Sequence, residues 1–162
     1  MSVWYDVRVI EHHLRHGNMK SHFKIYIAAY LVLMNNGQVL CMRRKNTGYQ
    51  DGKYSLVAGH LDGHETARQA IIREANEEIG IRLKPESLAV VHVMHRYRPD
   101  REYIDVYVMA DTWEGEIINK EPEKCDELSW HTIDRLPEPM VPEVPAALRC
   151  IQNGIFYGEF GW

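Results

Sequence analysis

From Glu65 to Ile79 the chain runs without glycine or proline, and Ala67, Ala70, Ile71, Ala75 and Ile79 recur at helical spacing. Gly80 follows where a left-handed C-terminal cap belongs, so the pattern predicts a helix ending there. Acids break into its apolar face. With Ile71 set at the centre and about 100° per residue, Ala67 and Ala75 flank it at about 40° on either side. Glu78 then falls about 20° and Glu74 about 60° from the centre, inside the apolar arc, while Glu77 lies about 120° away. Two bare charges one helical turn apart, roughly 6 Å, repel by about 3 kcal/mol at an effective dielectric near 20. Glu77 and Glu78 also occupy the last turn, the negative end of the helix dipole. Arg73 is the nearest cation, and a single guanidinium is expected to be too few for three helix carboxylates and Glu65 besides. Two readings stay open at this point: an acidic solvated face, or a set of oxygen ligands completed by a hard divalent cation such as Mg2+ or Mn2+.

The surrounding sequence alternates strands with this helix. Lys24 to Met34 is rich in Tyr, Ile, Leu and Val, Asn35-Asn36-Gly37 supplies a turn, and Gln38 to Arg44 resumes the apolar run, which reads as a hairpin. Asn46 to Ser55 is turn chemistry, followed by a short apolar piece, Leu56 to Ala58, that stops at Gly59. Leu88 to Tyr97 and Tyr103 to Trp113 alternate as two strands about a turn at Arg98 to Arg101, and Glu127 to Ile133 makes another short strand. Pro142 to Asn153 reads as a closing helix with Gly154 after its end. No internal repeat or Pro- or Gly-rich linker divides the chain, so residues 1–162 are expected to form one α/β domain.

Charge and apolar patterning narrow the classes of function. Nineteen Lys and Arg against 23 Asp and Glu leave a net charge of −4, which provides no general field for a nucleic-acid polymer. The longest apolar run, Ile25 to Met34, is half of the roughly 20 residues that a bilayer span needs. The N-terminus carries Asp6 and Glu11 and lacks the basic and apolar regions of a secretory leader. Three widely spaced cysteines, Cys41, Cys125 and Cys150, form no C-x-x-C pair, and a cytoplasmic location is expected.

Gly59, five residues, Glu65, seven residues, Arg73-Glu74, then Ala75, Asn76, Glu77-Glu78, Ile79, Gly80 and Ile81 is similar to the Nudix box, G-x5-E-x7-R-E-U-x-E-E-x-G-U, where U is a bulky aliphatic residue. Every fixed polar and glycine position agrees; Ala75 alone departs, being small where the pattern is bulky. The resemblance implies an α/β/α sandwich around a mixed β-sheet and a hydrolase that splits a nucleoside diphosphate linked to some other group, X, with Mg2+ or Mn2+ required. By position, Glu74, Glu77, Glu78 and the carbonyl of Ala58 would be metal ligands, and Gly59, Glu65, Arg73 and Gly80 would hold the loop to the helix. A further acid from a later loop is implied, with Glu127 first in expectation and Glu123 second. Glu77 or Glu127 would then take the proton of the attacking water. The MutT-like type, cleaving canonical or damaged nucleoside triphosphates to monophosphate and pyrophosphate, is the leading expectation. Nucleotide sugars, dinucleoside polyphosphates and a non-catalytic nucleotide sensor are the alternatives.

For the substrate, Arg43 and Arg44 are candidates to meet phosphate oxygens. Tyr49, Tyr54 and Tyr97 are candidates to stack on a base, and Tyr97 lies near where dinucleoside polyphosphate hydrolases of the family carry a tyrosine. His12, His13 and His16 are expected to be solvated, whereas His60 and His64 lie inside the box loop. The aromatic tail, Gly158 to Trp162, is expected to pack on the domain or on the second subunit of a homodimer.

Overall fold

The computed structural model describes residues 22–162; the N-terminal leader reading and His12, His13 and His16 lie outside them. Strand β1 (Tyr26–Asn35) is buried on both faces, which explains its unbroken apolar run. Ala29, Leu31 and Leu33 face one core with helix α1 (Ala67–Ile79), and Ala28, Tyr30 and Val32 face a second core with helix α2 (Glu143–Gln152). The result is an α/β/α sandwich.

Strand β1 turns at Asn36-Gly37 into β2 (Gln38–Arg44), and both turn residues have positive φ, as a tight hairpin demands. The pair separates beyond Met34 and Val39, because the first half of β1 instead pairs with β4 (Ala58–His60). β2 pairs with β3 (Tyr54–Ser55) and β7 (Cys125–Thr132), while β1 runs parallel to β6 (Arg101–Ala110). β6 pairs antiparallel with β5 (Ala89–Arg98), giving a mixed sheet that forks at β1.

Helix α1 begins later than the spacing predicts. Thr66 is its N-cap, accepting from the Gln69 N–H while the Gln69 side chain accepts from the Thr66 N–H, and this reciprocal cap leaves Glu65 in the loop. Gly80 ends the helix at φ 75°. The loop after β6 crosses that end and donates backbone N–H groups from Ile118 to the Ile79 carbonyl and from Lys120 to the Glu78 carbonyl.

The tail holds an element that the sequence reading omits. Strand β8 (Tyr157–Phe160) adds in parallel to β5, and its Gly158 lies close under the His92 ring, where a Cβ would come within 3.1 Å. The tail therefore packs on its own sheet. Among the described residues, no helix is long and apolar enough to cross a membrane.

Candidate active site

Arg73 is the hub of the loop-helix junction. It holds Glu65 through two nitrogens, with Nη2 donating at 2.8 Å and Nε at 3.3 Å, and Nη2 also donates to the His60 carbonyl at 3.2 Å. Its Nη1 donates to Glu74 at 2.6 Å and to Glu77 at 3.2 Å. One guanidinium thus reaches three of the four acids, against the expectation that it would be too few; its planar fork lets separate nitrogens serve separate carboxylates. The guanidinium and the Asp62 N–H hold the Glu65 carboxyl below the usual range. The loop is locked to the helix by this pairing.

Glu78 is the acid that Arg73 does not reach. Its carboxylate accepts the Ala58 N–H at 3.3 Å, and no cation pairs with it among the described residues. Burial, followed by the charge of Glu74, pushes its carboxyl up to about 8. Burial also raises Glu74, against the opposing pull of Arg73. Gly59 is the reason Glu74 fits at all, since a Cβ at that position would overlap the Glu74 carboxylate. Because N–H and C=O of one strand residue share an edge, the Ala58 carbonyl also faces away from β1.

Glu74, Glu77 and Glu78, with the Ala58 carbonyl, are the oxygen donors that could hold a hard divalent cation here. The half-hidden Glu78 carboxylate without a counter-ion is the observation that fits such a cation. Among the described residues no three acid, His or Cys side chains are gathered as a ready-made metal cluster, because Glu74 and Glu77 are turned onto Arg73.

The later acids are arranged differently from the order expected. Glu127 on β7 accepts from the Tyr54 hydroxyl at 2.8 Å and lies 3.6 Å from Arg43. Glu123 is exposed. Glu121 instead stands close enough for its charge to raise Glu78, and its carboxylate pairs with Lys124 at 2.8 Å. Sequence reasoning missed it. Nothing in Glu121-Pro122-Glu123-Lys124 separates the two glutamates until the loop is seen crossing the end of α1.

A cavity of about 510 Å³ opens where the sheet forks, beside Ala58, Gly59 and His60. Arg44, Arg96, Arg98 and Arg101 line it, with Tyr49 and Tyr103. Arg96 is buried at 4% side-chain exposure and forks onto Asp105, with Glu143 3.2 Å from its other nitrogen. Arg44 and Tyr49 are therefore brought together in one wall, while Arg43 turns to Asp126 at 2.7 Å. Tyr97 sits beneath Trp162, ring centres 5.3 Å apart, outside the cavity lining. His64 is exposed at φ 57°.

The family model described as "NUDIX domain" matches residues 24–149. The 8-oxo-dGTP diphosphatase of Escherichia coli strain K12 is 29% identical over 98 residues, 60% of this chain and 74% of that protein. The NAD-capped RNA hydrolase NudC of Stutzerimonas stutzeri is 27% identical over 116 residues; these make up 72% of this chain but only 40% of that enzyme's length. Among solved structures, the MutT NUDIX hydrolase from Burkholderia pseudomallei superposes with a TM-score of 0.71 at 24% identity, covering 78% of this chain and 97% of that one.

Proposed function

The chain belongs to the Nudix family of hydrolases, and from that premise we propose that it splits the pyrophosphate linkage of a nucleoside triphosphate, canonical or damaged, to the monophosphate and pyrophosphate, using Mg2+ or Mn2+. The carrying observation is the Glu78 carboxylate, half-hidden, raised to about 8 and left without a counter-ion, within one helical turn of Glu74. The name of the 8-oxo-dGTP diphosphatase relative supports the triphosphate class, and the NudC relative's name puts NAD-capped RNA among the substrates to be tested. A cytoplasmic location and a single domain over residues 1–162 belong to the same proposal.

Glu74, Glu77, Glu78 and the Ala58 carbonyl would hold the cation, with Glu121 as the later acid in preference to Glu127. When bound, such a cation neutralises phosphate charge and acidifies water. The protein's own residues position the reaction. Arg73 and Glu65 fix the loop so that Gly59 leaves room for the Glu74 carboxylate. Glu77, half-exposed and close to both Glu74 and Arg73, takes a proton from the attacking water. The water oxygen forms a bond to one phosphorus, the bridging P–O bond breaks, and its electron pair leaves on the departing phosphate oxygen. Arg44, in the cavity wall, meets phosphate oxygens of the nucleotide.

A substrate panel with Mg2+ tests this: canonical and oxidised nucleoside triphosphates, ADP-ribose, a nucleotide sugar, a dinucleoside polyphosphate and NAD-capped RNA. Release of monophosphate and pyrophosphate from a triphosphate is the expected result. Turnover of none of them would leave the nucleotide sensor standing in place of the enzyme.

A further inference from the structure

Residues 150–162 follow the matched family domain and turn back onto its sheet. Cys150, in the last turn of α2, accepts the Ile155 N–H through its carbonyl at 2.9 Å. The Ile155 carbonyl in turn accepts from His92 Nδ1 at 2.8 Å, and β8 then pairs with β5 from Val93 to Arg96. Gly158 of β8 faces both residues. A Cβ there would lie 3.1 Å from His92 Cε1, 3.4 Å from His92 Nε2 and 3.8 Å from Cys150 Sγ, so a thiol and an imidazole nitrogen border one point against the strand.

His92 is fully buried. A carbonyl only accepts, so Nδ1 carries the ring proton toward Ile155, and Nε2 of the neutral ring is left as a bare acceptor. That nitrogen has no hydrogen-bond partner among the described residues, and the neighbouring buried Tyr107 hydroxyl does not bond to it. A buried acceptor left unpaired is costly, and the Cys150 thiol is the protic group that borders the same point. The other two cysteines are shut away. Burial pushes the Cys41 thiol up to about 12 and raises that of Cys125, which keeps both from forming thiolates, whereas Cys150 is partly exposed.

We propose that Cys150 is a site of reversible S-thiolation by low-molecular-weight disulfides, and that the adduct pries β8 away from β5. The Cys150 sulfur attacks one sulfur of the disulfide, so that a new S–S bond forms as the old one breaks. The thiol proton passes to His92 Nε2 and from there to the departing thiolate. The attached group cannot share the space over Gly158, which is tight even for a methyl group beside the His92 ring. The strand has to yield. Its last residue, Phe160, pairs with Arg96, so release of β8 bares the edge of the strand that carries this residue of the cavity wall.

Incubation of the full chain with glutathione disulfide tests both parts. Peptide mapping by mass spectrometry should find a glutathionyl group on Cys150, with Cys41 and Cys125 unmodified, and dithiothreitol should remove it. Chymotrypsin should then cut after Phe156 or Tyr157 about tenfold or more faster than in the reduced protein, because cleavage tracks the population of the opened strand. In Cys150→Ser the disulfide should leave that rate unchanged. Cys41 and Cys125 report global opening, so their labelling alongside Cys150 would overturn a local latch. The proposal is equally overturned by an unmodified Cys150, by an adduct whose cleavage rate stays within about twofold of the reduced protein, or by the same acceleration in the serine variant.

Discussion

The Glu74 carboxylate occupies the space over Gly59 that any side chain there would need, so strand β4 and helix α1 approach each other only through a residue without a Cβ. Gly59→Ala is expected to push Glu74 away from its place beside Arg73. Steady-state kinetics should show kcat falling by about a hundredfold or more, with a stability loss of about 1–2 kcal/mol in urea unfolding. An alanine variant with full activity would mean that Glu74 need not stand where it does.

Arg73 carries Glu65, Glu74 and Glu77 at once. Arg73→Ala leaves a partly buried group of acids without its cation and should cost about 2–4 kcal/mol, measured by denaturant unfolding without metal. Arg73→Lys should recover less than half, because an ammonium cannot fork. Added Mg2+ should restore part of the loss in both variants.

Much of this was legible before any coordinates. Acids inside an apolar arc singled out the end of α1 as a candidate site, and the apolar run of β1 was legible as a strand, though not that both of its faces are buried. The start of α1 was displaced by two residues because the cap at Thr66 competes with a pattern that contains no breaker. Strand β8 escaped because four residues interrupted by Gly158 carry too little alternation, and their partners on β5 lie 64 positions earlier in the chain. The nearness of Glu121 to Glu78 depends on where a loop crosses the end of a helix. The arginine-lined cavity gathers residues from six strands and two connecting segments, a grouping that local spacing cannot express.

The loop acids can be separated by paired substitutions. Glu121→Gln is expected to lower kcat by about tenfold or more, since its charge acts on Glu78. Glu127→Gln should change kcat by less than about threefold, because that carboxylate is spent on Tyr54. The reverse order would restore Glu127 as the later acid.

Glu78 also sets a pH dependence. Its carboxyl holds a proton up to about 8 in the folded protein, against 4.5 for an ordinary glutamate. Between those values the folded state binds more protons than the unfolded one, so stability without metal falls as pH rises through that window. The span corresponds to at most about 5 kcal/mol. Glu78→Gln should remove most of this slope and leave the metal-free protein more stable than wild type above pH 8 in chemical denaturation.

A cation that completes the acids must displace the Glu78 proton. Calorimetric titration of Mg2+ near pH 7 in two buffers of different ionisation heat should therefore report release of close to one proton per site, fading above pH 9. Metal uptake without proton release near neutrality would place the ion elsewhere.

The most direct test needs no substrate. Thermal melting of wild type and Glu78→Gln, with and without millimolar Mg2+ or Mn2+, asks whether the acid cluster at the end of α1 is completed by a divalent cation. The metal is predicted to raise the melting temperature of wild type by several degrees and to leave the variant nearly unmoved. Equal stabilisation of both proteins, or of neither, would contradict the account.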